Sequence, residues 1–216
     1  EVYRADLKSM ASANRLHQGV NLRGHQVWAT YEHFQNLLVI RGIPADEDLL
    51  DIVDFFSTNS DPNIFKERHA LSQSEFRKLI QPLIRTGHIV QDFRGGFRTV
   101  TPNSTIDPIE LRKEYLRNMV KEYPIITLKQ FMRLAGTPFK PEEIKSVLNS
   151  FEEDGTLIKG FLIEDLHEVC WGRKELLDEA KNIRPIRDFV LPPSDPISPY
   201  FADVLKEKFG FGSAYL

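Results

Sequence analysis

Apolar residues recur along much of this chain at the spacing of one helical face. Between Ser72 and Thr86 they fall at Phe76, Leu79, Ile80 and Leu83, an i, i+3, i+4, i+7 series. The same series returns at Ile144, Val147, Leu148 and Phe151. When residues 142–161 are laid over 74–93, Gly155 falls on Gly87. Leu157, Ile158 and Phe161 then fall on Ile89, Val90 and Phe93. Glycine tolerates the left-handed conformation that ends a helix, and the β-branched run after it reads as a strand. Each copy is therefore predicted as a helix, a glycine stop and a strand.

Similar helices precede both copies. Residues 46–59 carry Leu49, Leu50, Val53 and Phe56 on one face, behind Asp46 as N-cap. Residues 107–123 begin with Asp107 and Pro108, a cap followed by a first-turn proline. They carry Leu111, Tyr115, Leu116, Met119 and Val120. Shorter helices are predicted over 63–70 and 128–136. Ser72 with Glu75 forms a capping box for the helix over 72–86. Strands over 88–93 and 97–101 turn at Arg94-Gly95-Gly96. The order is helix, helix, helix, hairpin, twice, which is the winged-helix variant of helix-turn-helix. Two unrelated α+β mini-domains are the alternative, and the two glycines suit an ordinary hairpin equally well.

The predicted fold class is α+β, mainly helical: tandem winged helices with an extended C-terminal strap. The predicted boundaries are an N-terminal helical segment (1–45), winged helix 1 (46–104), winged helix 2 (105–183) and a proline-rich strap with a C-terminal helix (184–216). In the first segment, residues 3–18 and 24–42 are read as helices. The second of these has Val27, Trp28, Tyr31, Phe34 and Leu38 on one side and is stopped by Gly42 and Pro44. In the last, Pro192, Pro193, Pro196 and Pro199 fix φ and withhold donors. An extended strap is expected there, with Phe189, Leu191, Ile197 and Tyr200 available to pack. A flexible linker is the alternative.

Charge divides the two repeats. The whole chain has a formal net charge of −3, which excludes a protein coated in positive charge but not a local patch. Residues 64–102 hold seven bases, Lys66, Arg68, Arg77, Lys78, Arg85, Arg94 and Arg98, against three acids. Residues 142–168 hold two bases against eight acids. Phosphate binding needs cations that displace condensed counterions. Those seven bases are the candidate nucleic-acid-binding residues, and a solvated helix face is the alternative. The second repeat is expected to face protein.

Catalytic and ligand-binding motifs are absent from this reading. There is no GxxxxGK[ST] or GxGxxG loop. His167-Glu168 lacks the second histidine of a zinc site, and His17, His25 and His33 lie eight apart rather than four. Cys170, the one cysteine, sits in an apolar context as a buried thiol and implies a reducing, intracellular setting. No cofactor, metal or membrane span is expected, and the expected location is cytoplasmic or nucleoid-associated. The chain begins Glu-Val-Tyr without an initiator Met, so a piece of a longer protein is expected.

The C-terminal third carries a resemblance. Gly155, Gly160, Phe161, Glu164 and Leu166, followed by Asp195, Pro196, Pro199 and Tyr200, resemble the C-terminal winged-helix region of the large helicase-related proteins. These are a branch of the DEAD/DEAH-type superfamily 2 helicases. Where that family has a small-residue stretch, this chain reads His-Glu-Val-Cys-Trp-Gly (167–172). A family of helix-turn-helix DNA glycosylases is similar in architecture. Its tails share the Leu-Pro-Pro-x-Asp-Pro pattern of 191–196 and a segment like Phe209-Gly210-Phe211. Its glutamine-centred catalytic motif is not recognisable here. The helicase resemblance implies a DNA-binding accessory region of an ATP-dependent enzyme, with no ATPase and no enzymatic activity of its own. Its implied partners are duplex or branched DNA, RNA as second candidate, and helicase domains upstream in the parent chain. A protein–protein scaffold and a helix-turn-helix DNA glycosylase-like domain are the alternatives.

Overall fold

The computed structural model describes residues 9, 10, 12, 13, 15–136, 138–162 and 167–180. The predicted strap and C-terminal helix (184–216) lie outside the described residues. The chain divides into two compact units, residues 1–114 with 135–138, and residues 115–134 with 139–216. Its architecture is α+β, with small antiparallel sheets.

The first unit opens with strands β1 (His17–Val20) and β2 (Gln26–Ala29), then helix α1 (Tyr31–Arg41). A 3-10 turn (Glu47–Leu49) leads into α2 (Leu50–Thr58), α3 (Pro62–Arg68) and α4 (Gln73–Thr86). Strands β3 (Ile89–Gln91) and β4 (Phe97–Thr99) close it. The sheet order is β2-β1-β3-β4.

Residues 9, 10 and 12 are helical, but the two strands correct the rest of the predicted N-terminal helical segment (1–45). Residues 24–42 are not one helix, because Thr30 breaks the run. Its backbone is extended, and its hydroxyl accepts the His33 N–H at 3.3 Å as the N-cap of α1. Upstream, Asn21 folds a tight hairpin turn by accepting the N–H groups of Arg23 and His25, each at 3.0 Å. Gly24 takes φ +82° in that turn. The helical spacing of Val27, Trp28 and Tyr31 is thus a coincidence between a strand and a helix start. β1 then pairs with β3, Gln18 opposite Gln91, so the N-terminal residues complete the sheet of the β3–β4 hairpin.

Caps set the length of α4. Ser72 and Glu75 make the reciprocal capping box, and Gly87 ends the helix at φ +87°. In the second unit Gly155 takes φ +77° after its helix, so the two glycines do the same work. The core of the first unit is aromatic: Phe55, Phe56, Phe65, Phe76 and Phe97 are all buried, with Ile52, Ile80, Leu83 and Ile89 around them. The Thr99 hydroxyl donates to the Val53 carbonyl, and the Tyr31 hydroxyl donates to the Thr99 carbonyl at 2.8 Å. The hairpin is thereby tied to α2 and α1.

The second unit holds most of α5 (Pro108–Glu122), then β5 (Ile125–Thr127), α6 (Leu128–Ala135), α7 (Pro141–Glu153), β6 (Leu157–Gly160), β7 (Cys170–Arg173) and α8 (Lys174–Ala180). Its sheet order is β5-β7-β6. β5 and β7 were not legible as strands. Each is short, and β7 is made of Cys-Trp-Gly-Arg, without the alternation that signals a half-buried strand. Cys170 is fully buried, and that burial pushes its thiol up from the ordinary range.

Two buried histidines make this fold acid-sensitive. His17 packs on Tyr31 with ring centroids 5.8 Å apart, and its pKa is lowered by burial and by the charge of Arg98. His88 contacts the Thr86 hydroxyl at 2.8 Å and is lowered by burial. The unfolded chain takes up protons at both near pH 6.5, while the folded chain resists them. Stability is therefore complete above that pH and falls as pH drops below it. The Glu75 carboxyl, held low by Ser72, acts in a separate window below about 4.5. Urea unfolding between pH 7.5 and 5.5 should show the decline, and a His17→Gln, His88→Gln protein should show a flatter one. An equal slope in both proteins would assign the acid sensitivity elsewhere.

Candidate nucleic-acid interface

Side chains alternate across a strand, so the sheet of the first unit has two different faces. Gln18 lies opposite both Trp28 and Gln91, and Gln91 opposite Phe97. These four residues share one face, and Gln26 joins them two positions before Trp28. Against this face stand α3 and α4. Between them runs a groove of about 360 Å³. Gln18, Gln26 and Gln91 line it from the sheet, Asn63 and Lys66 from α3, and Gln73, Arg77 and Gln81 from α4. Phe76, Ile80 and Phe97 form its apolar floor, and Gly95 of the hairpin turn sits at its end. No carboxylate among the described residues lines it.

The turn beside the groove is held by Asp92. Its carboxylate accepts the N–H groups of Arg94 and Gly96, both at 2.8 Å, and Gly95 takes φ +88°. A Cβ on Gly96 would meet the Asp92 carboxylate at 2.7 Å and the Ser60 carbonyl at 3.1 Å, so a side chain here would push on the carboxylate that holds the turn. The other end of α4 is fastened by Arg41. Its guanidinium donates to the carbonyls of Thr86, Val20 and Asn21 at 3.0, 2.7 and 2.9 Å. That bridge fixes the spacing between β1 and α4, and with it the width of the groove.

The seven predicted bases do not converge on one spot. Lys66 and Arg77 line the groove, and the Lys66 ammonium donates to Gln73 at 2.8 Å. Arg94 is exposed at the hairpin turn. Lys78 and Arg85 are exposed on α4, about 100° and about 80° round the helix from Arg77 at 3.6 residues per turn. Arg68 is exposed at the end of α3. Arg98 alternates with Phe97 and so lies on the opposite face of the sheet, its guanidinium 3.9 Å from the centre of the Tyr31 ring. Lys66 and Arg77 thus share the groove, Arg94 precedes its lining residue Gly95 in the chain, and Arg98 stands on the other face of the sheet.

The glutamines were missed in the sequence. No motif marks them, because Gln18 and Gln91 are 73 positions apart and meet only through the β1–β3 pairing. Neither His-Gln-Gly-Val nor Ile-Val-Gln alternates polar with apolar residues, so no local signal marks the face that the glutamines occupy.

In the second unit the corresponding helix, α7, presents Glu142, Glu152 and Glu153 as exposed residues. Of the two bases in residues 142–168, Lys159 on β6 is 3.8 Å from Glu152 and stands 5.3 Å from the Trp171 ring centre.

No family model matches the sequence, and no curated protein matches it. Among solved structures the chain is similar to the DNA glycosylase AlkZ of Streptomyces sahachiroi. The TM-score is 0.61 at 11% identity, over 97% of this chain and 69% of that one. This corrects the expectation of a chain without enzymatic activity: the neighbour whose fold spans nearly the whole of it is an enzyme.

Proposed function

We propose that this protein binds DNA and acts on it as a glycosylase-type repair protein. The observation that carries the reading is the likeness to a DNA glycosylase fold along 97% of the chain. In this reading the two repeats are winged helices, and the first one grips DNA. Lys66, Arg77 and Arg94 contact phosphates. The amide-lined groove admits a nucleobase. Its volume of about 360 Å³ falls in the range of small-ligand sites. Each glutamine offers both a donor and an acceptor, which is what the edge of a base requires. Among the described residues no carboxylate lines the groove, so it suits a base that leaves readily. An alkylated purine, already carrying positive charge, is such a base.

The reading follows the glycosylase neighbour rather than the helicase resemblance, and upstream helicase domains form no part of it. No helix among the described residues is long and apolar enough to cross a membrane.

The test is to incubate the protein with alkylated duplex DNA and measure free base by chromatography, alongside anisotropy of a labelled duplex. Release above the spontaneous rate, lost in Gln18→Ala with binding retained, is expected. Binding without release would remove the enzymatic part. Absence of both would overturn the reading.

A further inference from the structure

Trp28 and Phe93 break the rule that large aromatic rings are buried. They are 44% and 46% exposed, while the five phenylalanines of the core are each 8% or less. The two rings touch each other, with centroids 6.2 Å apart and planes tilted by 56°. Trp28 comes from β2, and Phe93 lies just beyond β3 at the hairpin turn. β1 runs between them, with Gln18 opposite both Trp28 and Gln91. The pair therefore sits on the groove face of the sheet, next to the glutamines. An exposed aromatic pair costs hydration free energy, and its persistence points to something that covers it.

The surroundings select what that is. Arg94 follows Phe93 directly and is exposed. Asp92, which precedes Phe93 in the chain, has one carboxylate oxygen committed to two backbone N–H groups of the turn. Lys66 and Arg77 line the adjoining groove. Aromatic faces beside cations and amides match an unstacked nucleobase on a phosphate backbone. Bases within a continuous duplex have both faces covered by their neighbours, so only an unpaired or extruded base presents one.

We infer that Trp28 and Phe93 form a stacking platform for an unpaired base, so that the protein prefers DNA carrying one over continuous duplex. The inference rests on the DNA-binding reading above and adds the structural class of the substrate.

Anisotropy with two labelled oligonucleotides tests it: a fully paired duplex, and the same duplex with one extra unpaired adenosine. The wild-type protein should favour the second by about tenfold, the scale of one stacked base. Trp28→Ala and Phe93→Ala should each remove that preference and leave affinity for the paired duplex unchanged. Circular dichroism checks that both remain folded, as expected for exposed positions. Phe161→Ala, at the aligned and still more exposed position of the acidic second repeat, should leave the preference intact. Paired-duplex binding with no preference in the wild type, or a preference that survives both substitutions, overturns the platform and leaves the DNA-binding reading standing. Failure to bind either oligonucleotide overturns both.

Discussion

Replacing Lys66 and Arg77 together by Glu should weaken DNA binding by roughly 100-fold at physiological salt and flatten its salt dependence. Each phosphate contact releases condensed counterions and contributes about −0.9 to the log–log salt slope. Two lost contacts therefore remove about 2 from the slope, and the reversed charges add repulsion. The loss should be similar on all sequences, because phosphate contacts position without reading bases. Lys66 and Arg77 are chosen because they alone of the seven bases line the groove. Arg98→Ala should have a much smaller effect, since its guanidinium lies over Tyr31 on the other face. Glu152→Lys with Glu153→Lys, on the acidic helix of the second unit, should leave binding intact or slightly raised through the long-range field. Salt titrations of the three proteins measure all of this. Equal losses from the groove pair and the Glu152→Lys, Glu153→Lys pair would show that both units grip DNA. An unchanged slope in the first variant would take the groove out of the interface.

How much of this surface could be read in advance depends on the range of the interactions. The helices α2, α4, α5 and α7 were legible because their signals are local. Their apolar series repeat every three or four residues, and Ser72, Glu75, Gly87 and Gly155 mark their ends within a few positions. The basic residues of α3 and α4 were legible as a count of charges. The sheet was not. β1 finds its partner β3 from 73 positions away in sequence, and no periodicity encodes that pairing. In its absence Val27, Trp28 and Tyr31 fitted one face of a helix, whereas Trp28 stands on a strand and is 44% exposed. The same blindness hid the groove. Gln18, Gln26, Gln73, Gln81 and Gln91 look like scattered surface residues until the β1–β3 pairing and the Arg41 bridge bring them to one cleft. Arg94 and Arg98 were counted together because a tally of charges does not separate the two faces of a sheet.

Truncating Phe56 to Ala should destabilise the first unit by about 3–5 kcal/mol, the usual cost of deleting a buried phenyl ring. Phe56 is 2% exposed and is the hub of the aromatic core. Its ring centroid lies 5.1 Å from Phe55, 5.7 Å from Phe65, 6.3 Å from Phe76 and 5.5 Å from Phe97. Removal leaves a void bounded by four rigid rings on α2, α3, α4 and β4, and rings of that size cannot collapse into it without moving their elements. Phe76 and Phe97 also form the groove floor, so the variant should lose DNA affinity as its native population falls. Phe56→Leu keeps much of the volume and should cost about 1–2 kcal/mol, with binding preserved. Phe93→Ala, half exposed, should change stability by less than about 0.5 kcal/mol. Urea unfolding followed by far-ultraviolet circular dichroism ranks the three. A Phe56→Ala loss no larger than that of Phe93→Ala would mean that the aromatic cluster does not hold this unit together. The groove would then owe its shape to the Arg41 bridge and the β1–β3 pairing instead.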